Sequence, residues 1–386
     1  MKTFRKLNIK RLGQVFILLT ALVGWNFAQQ TTITTSTPKP LPKAKTAPKP
    51  KINTETSPIT EAPETPVVSS PGRVGPGTLP PFSDKGRIVS NEDDTPFEKS
   101  IEVDEKVNIN LCVFEGNVRI NGWDRDEIRV FVRGGSKAGF RPRGKNEEGN
   151  PTGVTILGYD PLKDKGRGLS ECLSGEEIEL DVPKEANLTK LDGLNGEVII
   201  TVESVAKARI SINQGNIQLR GIQEGIYAKT YEGDINVEDS YGPIELYSTN
   251  GNIFVYNVDP LEDSDILKAK TNNGILIFQS STHLVVEGNT ISGSIKYVGE
   301  IQMDGQYKFT NTSGEILLGI PSDSSCTLTV ISQKDKFLPE LPFKVTTEAV
   351  FPPSMKRIVG TMGTGEGEAT IFLQTDNGKI RIKRQN

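Results

Sequence analysis

Histidine is almost missing from this 386-residue chain, which has one, His283. Cysteine is scarce as well: Cys112, Cys172 and Cys326 are the only three, and no two of them form a C-x-x-C pair. The common zinc layouts need clustered thiolates or imidazoles, so they are excluded, and no cofactor is expected. A histidine-based triad would have to be built on His283. That residue lies in the strand-like run Thr282-His283-Leu284-Val285-Val286, and no G-x-S-x-G accompanies it. Helical patterning is also missing, with no sustained 3.6-residue apolar stripe outside the first 28 residues. Long apolar runs are confined to Leu12–Trp25, which is short for a membrane span of about 20 residues.

What the first 28 residues do contain is a cationic start, Lys2, Arg5, Lys6, Lys10 and Arg11, then that apolar run, then Asn26-Phe27-Ala28. This is signal-peptide order. Cleavage near Ala28 predicts an exported protein, in the periplasm, at the surface or secreted. The rival reading is an uncleaved anchor, which would be the chain's one contact with a membrane. Residues 29–81 hold twelve of the 24 prolines with many Thr and Lys residues, and too few large apolar groups to offset ordering entropy. They read as a disordered tether, which at about 3.1 Å per residue spans on the order of 150 Å when extended.

Removing residues 1–28, with five basic and no acidic side chains, takes the formal charge from −4 to −9. Residues 29–81 carry six basic against three acidic groups, which leaves −12 for residues 82–386. A phosphate-neutralising surface needs the opposite sign, so nucleic acid is not expected as a partner.

Residues 82–386 repeat themselves. The unit is a polar residue, Gly, any residue, an apolar residue, any residue, an apolar residue. It appears as Asn195-Gly196-Glu197-Val198-Ile199-Ile200 and recurs from Gln214, Glu232, Asn250, Asn273, Ser292 and Ser313, with outlying copies from Glu115 and Asn377. The glycines from Gly196 to Gly314 are spaced 19, 18, 18, 23, 19 and 21 residues apart. Polar-Gly is turn chemistry, and the alternation after it is a half-buried strand. A second strand fits between successive glycines, as in Ile226–Thr230, Ile244–Ser248 and Ile266–Lys270. The expected fold is all-β: a single-stranded parallel β-helix, or β-solenoid, with repeats of about 20 residues whose rungs stack about 4.8 Å apart. An antiparallel β-sandwich of hairpins is the alternative. Residues 134–176 read as a long exposed loop, and 337–357 as an irregular insertion.

The order of these motifs resembles the bacterial putative-adhesin family, exported domains of unknown function rich in G-x-I-x-V. The pieces that carry the likeness are Gly116-Asn117-Val118-Arg119-Ile120 with Asn121-Gly122-Trp123-Asp124, a strand ending in Val182-Pro183, and the passage Gly363 to Ile382. Together they cover most of residues 97–386. The resemblance implies an extracytoplasmic β-solenoid-like domain and brings no catalytic residues with it.

No site in the sequence has the composition of an active centre. Gly363-Thr364-Gly365-Glu366-Gly367 runs into strand-like Ala369–Leu373 rather than a helix, so a phosphate loop is not expected. Carboxylate pairs such as Glu232 with Asp234, Glu238 with Asp239 and Asp124 with Asp126 would suit a carbohydrate-active enzyme if aligned on one side, but acidic turns also keep a repeat domain soluble. Aromatics that face solvent would suit a glycan, and Tyr231, Tyr241, Tyr247, Phe254, Tyr256 and Tyr297 are the candidates; Tyr231, Tyr247 and Tyr256 would lie on neighbouring rungs and are the candidate ligand-facing residues, although packing inside the stack is the favoured reading for each of the six. Cys112 and Cys172 either pair or stay separate, and Cys326 alternates with apolar residues as a buried thiol does. The expectation is a non-enzymatic envelope module whose partner is a wall polymer, a glycan or an envelope protein. A self-assembling scaffold is the first alternative and a carbohydrate-active enzyme the second.

Overall fold

In the computed structural model the residues described are 95–159, 172–351, 354–363 and 369–385; the side chains of residues 194–196 are left out of the description. The expected signal peptide, tether and most of the Gly363–Gly367 loop lie outside these residues. The described residues fall within one unit, Lys85–Asn386.

Every regular element among them is a β-strand. The first block comprises β1 (Phe97–Glu102), β2 (Asn108–Trp123), β3 (Glu127–Arg133), β4 (Lys137–Arg143), β5 (Gly153–Tyr159), β6 (Leu173–Pro183) and β7 (Asn187–Glu203). The repeats follow as β8 (Lys207–Gln214), β9 (Ile217–Arg220), β10 (Ile226–Glu232), β11 (Ile235–Tyr241), β12 (Ile244–Asn250), β13 (Ile253–Asp259), β14 (Ile266–Asn273), β15 (Leu276–Ser281), β16 (Val285–Ser292), β17 (Ile295–Val298), β18 (Gln306–Ser313) and β19 (Ile316–Ile320). The last block is β20 (Cys326–Gln333), β21 (Phe337–Pro339), β22 (Phe343–Phe351), β23 (Met355–Met362), β24 (Thr370–Asn377) and β25 (Ile380–Arg384).

Pairing sorts these strands into two parallel ladders. The first runs β8, β10, β12, β14, β16, β18, β24, β20. The second runs β9, β11, β13, β15, β17, β19, β25, β21. Each repeat thus gives one strand to each ladder, with the polar-Gly turn between them. Strand β7 serves both, its first half pairing with β8 and its second half with β9. Among the described residues, antiparallel pairing is confined to the two ends: β1–β3, β3–β6 and β4–β5 at one, β20–β23 and β22–β23 at the other.

Because strand residues alternate sides, each inward position forms a column through the stack. In the first ladder one column reads Ala208, Ile226, Ile244, Leu267, Val286, Tyr307, Ile371; in the second, Ile217, Ile235, Ile253, Leu276, Ile295, Ile316, Ile380. All are buried, and each large aliphatic contributes about 1.5–3 kcal/mol by leaving water. Further along, Phe278, Tyr297, Tyr307 and Phe309 fill the interior, with ring centroids 5.5–5.7 Å apart. Gly288 makes room for them: a Cβ there would come within 2.9 Å of Phe309 and 3.0 Å of Phe278.

The repeat glycines form a column of their own. A Cβ on Gly251 would lie 1.9 Å from the Gly233 carbonyl oxygen, and one on Gly293, where φ is +152°, 1.9 Å from that of Gly274. The turn therefore requires glycine because the next rung's backbone occupies the Cβ position. Beside this column runs a buried polar one: Thr230, Ser248, Thr271, Thr290, Asn311 and Thr375. Each donates its side-chain hydrogen to a turn-glycine carbonyl, as Ser248 Oγ does to Gly233 O at 3.0 Å and Thr271 Oγ1 to Gly251 O at 2.9 Å. The pattern repeats in Thr230 to Gly215, Thr290 to Gly274, Asn311 to Gly293 and Thr375 to Gly314. An unpaired buried hydroxyl costs a few kcal/mol, so the Ser and Thr members of the column answer that cost rung by rung.

The ends differ from the sequence reading. Residues 134–176 are not one exposed loop: Lys137–Arg143 and Gly153–Tyr159 pair as an antiparallel hairpin, and Leu173 begins β6. Val154, Ile156 and Leu173 are buried there, an alternation hidden among Gly and Arg residues. Residues 337–357 likewise carry β21, β22 and the start of β23. Both end blocks are also out of chain order. Strand β2 sits between β7 and the pair β5 and β6. Strands β24 and β25 sit between β18 and β19 on one side and β20 and β21 on the other.

Candidate functional site

The outward face of the first ladder carries two aligned columns of side chains. One reads Arg209, Tyr227, Glu245, Lys268, Glu287, Lys308. The other reads Asp192, Ser211, Lys229, Tyr247, Lys270, Asn289, Thr310. Near the β7 end these columns border an open groove of about 430 Å³, lined by Thr189, Lys190 and Asp192 of β7, Arg209 and Ser211 of β8, Tyr227 and Lys229 of β10, and Asn110 of β2. A register shift between Leu188 and Leu191 against β8 shapes its wall. Two consecutive residues, Thr189 and Lys190, are exposed there between buried Leu188 and Leu191. Such a bulge re-aims a side chain that regular alternation would place elsewhere. Thr189 Oγ1 donates to Asn110 Oδ1 at 2.9 Å, which fixes the bulge against β2.

The charges in the groove are unevenly matched. Lys190 pairs with Asp192 at 2.9 Å. The Arg209 guanidinium lies over the Tyr227 ring, 4.1 Å from its centroid, a cation–π placement that holds it with its N–H donors uncommitted to a carboxylate. Among the described residues Arg209, Lys229 and Lys270 have no carboxylate within ion-pair distance. Tyr227 and Tyr247 lie 5.8 Å apart at 46°. Burial, and then its hydrogen bond to Glu245 at 2.8 Å, pushes the Tyr247 phenol up to about 12, so it stays a neutral donor.

Of the three tyrosines picked from the sequence, the structure does not make one row. Tyr231 is 55% exposed at the end of β10 and Tyr247 projects from β12, both in the first ladder. Tyr256 belongs to β13 in the second ladder, where its ring is parallel to Phe254 within 7° at 6.5 Å. Neighbouring repeats fall on two ladders, and position within the repeat decides which. Tyr297 packs inside, with its hydroxyl donating to the Glu300 carbonyl at 2.8 Å. Tyr227, Arg209 and Lys229 were missed because each reads alone as an ordinary strand surface residue; only their register joins them.

His283 is fully buried. Nδ1 lies 3.1 Å from Ser281 Oγ and Nε2 2.9 Å from the Gly242 carbonyl oxygen, and burial holds its pKa below the usual histidine value. This is a structural histidine linking one rung's loop to another. Three of the carboxylates picked from the sequence are engaged by neighbouring side chains and backbone. Asp234 accepts the Asn252 N–H at 2.7 Å, Asp239 binds Arg220 and Asn257 at 3.1 and 2.8 Å, and Asp124 pairs with Lys184 at 2.8 Å. Asp239 is held below the ordinary carboxylate range by the Asn257 hydrogen bond first and by Arg220. Among the described residues no group of three or more His, Cys, Asp or Glu side chains is placed to hold a metal.

Cys112 and Cys172 are joined by a disulfide, their Cα atoms 4.5 Å apart. It ties β2 to the start of β6. Cys326 is a buried free thiol whose pKa burial pushes up to about 11.

No family model matches the chain, and neither does any curated protein. Several solved bacterial structures match the chain at low identity. A putative adhesin from Bacteroides fragilis is 11% identical, with 75% of this chain and 97% of that one covered and a TM-score of 0.29. A putative cell adhesion protein from Clostridium sporogenes is 10% identical, with 75% and 100% covered and a TM-score of 0.21. A putative lipid binding protein from Parabacteroides distasonis is 12% identical, with 75% and 97% covered and a TM-score of 0.25.

Proposed function

We propose that residues 82–386 form a β-solenoid that acts as a non-enzymatic binding module of the cell envelope, exported by a signal peptide at 1–28 and displayed on the proline-rich tether at 29–81. Its partner is a glycan or wall polymer. The observation that carries this reading is the aromatic and cationic groove on the outer face of the first ladder. It is open to solvent and lined by Tyr227, Arg209 and Lys229, as suits a surface that grips a polar polymer. The Cys112–Cys172 disulfide supports an oxidising compartment. The test is co-sedimentation of the protein with isolated cell walls and a panel of polysaccharides, across salt. Saturable, selective pull-down is expected, and failure to bind any of them overturns the reading.

A second reading, self-association, is favoured by one feature. Among the described residues strand β22 pairs on one side only, with β23, and it exposes Val345, Val350 and Phe351. An exposed apolar edge strand is a pairing template. Concentration-dependent sedimentation that disappears on changing Val350 to Lys would support it.

A further inference from the structure

We propose that the groove and the columns beyond it form a site for an acidic polysaccharide, laid along the stack across the strands, with its carboxylates on Arg209, Lys229 and Lys270 and a sugar ring against Tyr247. This deepens the reading above and rests on it.

Three observations carry it. The first is charge. Residues 82–386 have a formal charge of −12, yet the columns and groove wall described above hold six cations, Lys190, Arg209, Lys229, Lys268, Lys270 and Lys308, against three carboxylates, Asp192, Glu245 and Glu287. A local excess of one sign in a domain of the other draws a counter-charged ligand to that face. The second is repetition. Lys229, Tyr247 and Lys270 are register partners on three successive strands. Parallel strands lie about 4.8 Å apart, so the two lysines are about 10 Å apart along the stack axis with the ring between them. A linear polyanion can meet such a row repeatedly, which a single small anion cannot. The third is construction. The bulge at Thr189–Lys190 and the Arg209–Tyr227 contact fix groups that an ordinary solvated face would leave mobile. A fixed guanidinium loses less entropy on gripping a carboxylate, with the bidentate geometry that pair prefers.

The ring separates a sugar polymer from a bare anion. A tyrosine flanked by two lysines offers a flat face as well as charge, which a polyphosphate chain would leave unused.

The experiment measures binding of the full chain to polygalacturonate, to the same polymer methyl-esterified, and to inorganic polyphosphate, by titration calorimetry at low and moderate salt. Polygalacturonate is expected to bind best, weakening as salt rises. Esterification, which removes the charge and keeps the sugars, should largely abolish binding. The double variant K229Q/K270Q should weaken polygalacturonate binding about tenfold, the scale of two exposed ion pairs. Tyr247→Ala should weaken polygalacturonate more than polyphosphate. Melting temperatures near wild type would show that these outward-facing changes leave the fold intact. Equal affinity for the esterified polymer, or no loss in K229Q/K270Q, overturns the proposal. So does polyphosphate binding as tight as polygalacturonate and indifferent to Tyr247. Binding to cell walls with none to these three polymers sinks the acidic-polysaccharide site and leaves the envelope-binding function standing; binding to neither sinks both.

Discussion

Replacing the turn glycines should separate two reasons for glycine that usually occur together. Gly221 has φ +65° and its nearest foreign atom is 3.5 Å from an added Cβ, so Gly221→Ala meets only left-handed backbone strain, about 1–2 kcal/mol. Gly251 is the converse: its φ lies outside the left-handed region, but the new Cβ would lie 1.9 Å from the Gly233 carbonyl oxygen. That oxygen accepts Ser248 Oγ at 3.0 Å and belongs to the rung below, so it has little freedom to retreat. Gly251→Ala should cost about 3 kcal/mol, the upper end for overpacking. Gly293→Ala meets both effects, with φ +152° and the same 1.9 Å approach, and should cost about 4–5 kcal/mol. Against a stability of about 5–15 kcal/mol that is a large loss. Urea titration followed by circular dichroism gives all three values. If Gly251→Ala costs less than Gly221→Ala, close rung contact is not what selects glycine, and the account of the repeat fails.

The remaining predictions concern the buried and cross-linked groups. The Cys112–Cys172 bridge closes a loop of 60 residues, so replacing both by Ala should cost about 4 kcal/mol by the chain-entropy relation, read from the urea midpoint with and without reductant. His283 has its pKa lowered by burial, so the unfolded chain takes up the proton first. Its contribution is complete above the unfolded value of about 6.5 and is lost as pH falls through the folded value, by up to about 1.4 kcal/mol per unit. Melting temperature should therefore drop more between pH 7 and 5 in wild type than in His283→Gln. With its pKa at about 11 and its side chain buried, Cys326 should resist a thiol-specific disulfide reagent at pH 8 until the protein is unfolded.

Much of the interior was legible in the sequence because two positions after each repeat glycine, and four after it, must be apolar. Ile235 and Val237, or Ile253 and Val255, announce themselves in this way. The buried polar column was not legible. Thr230, Thr271 and Thr290 stand beside turns, where a small hydroxyl reads as solvent-facing; only the carbonyl of the stacked glycine turns it inward. The candidate site was half legible for a related reason. Aromatics on the strands could be picked out, but which share a face depends on whether the strand precedes or follows the glycine. Tyr247 precedes it and Tyr256 follows it, so they part company. The end blocks escaped because periodicity predicts stacking in chain order, and β24–β25 do not obey it.

That exception bears on how the molecule is made. A chain that emerges one end first can add rungs in sequence from β8 to β19, each templated by the one before. The next strands to emerge, β20 to β23, can pair among themselves but find no place on the stack, because the rung that β20 and β21 rest on is still unsynthesised. They must wait, and β24–β25 then enter between two surfaces rather than onto one. The domain is therefore sealed by its last two strands, and a molecule halted before them has an unfinished stack beside an unattached hairpin. Such a molecule is open to proteases and chaperones until β24 and β25 are in place.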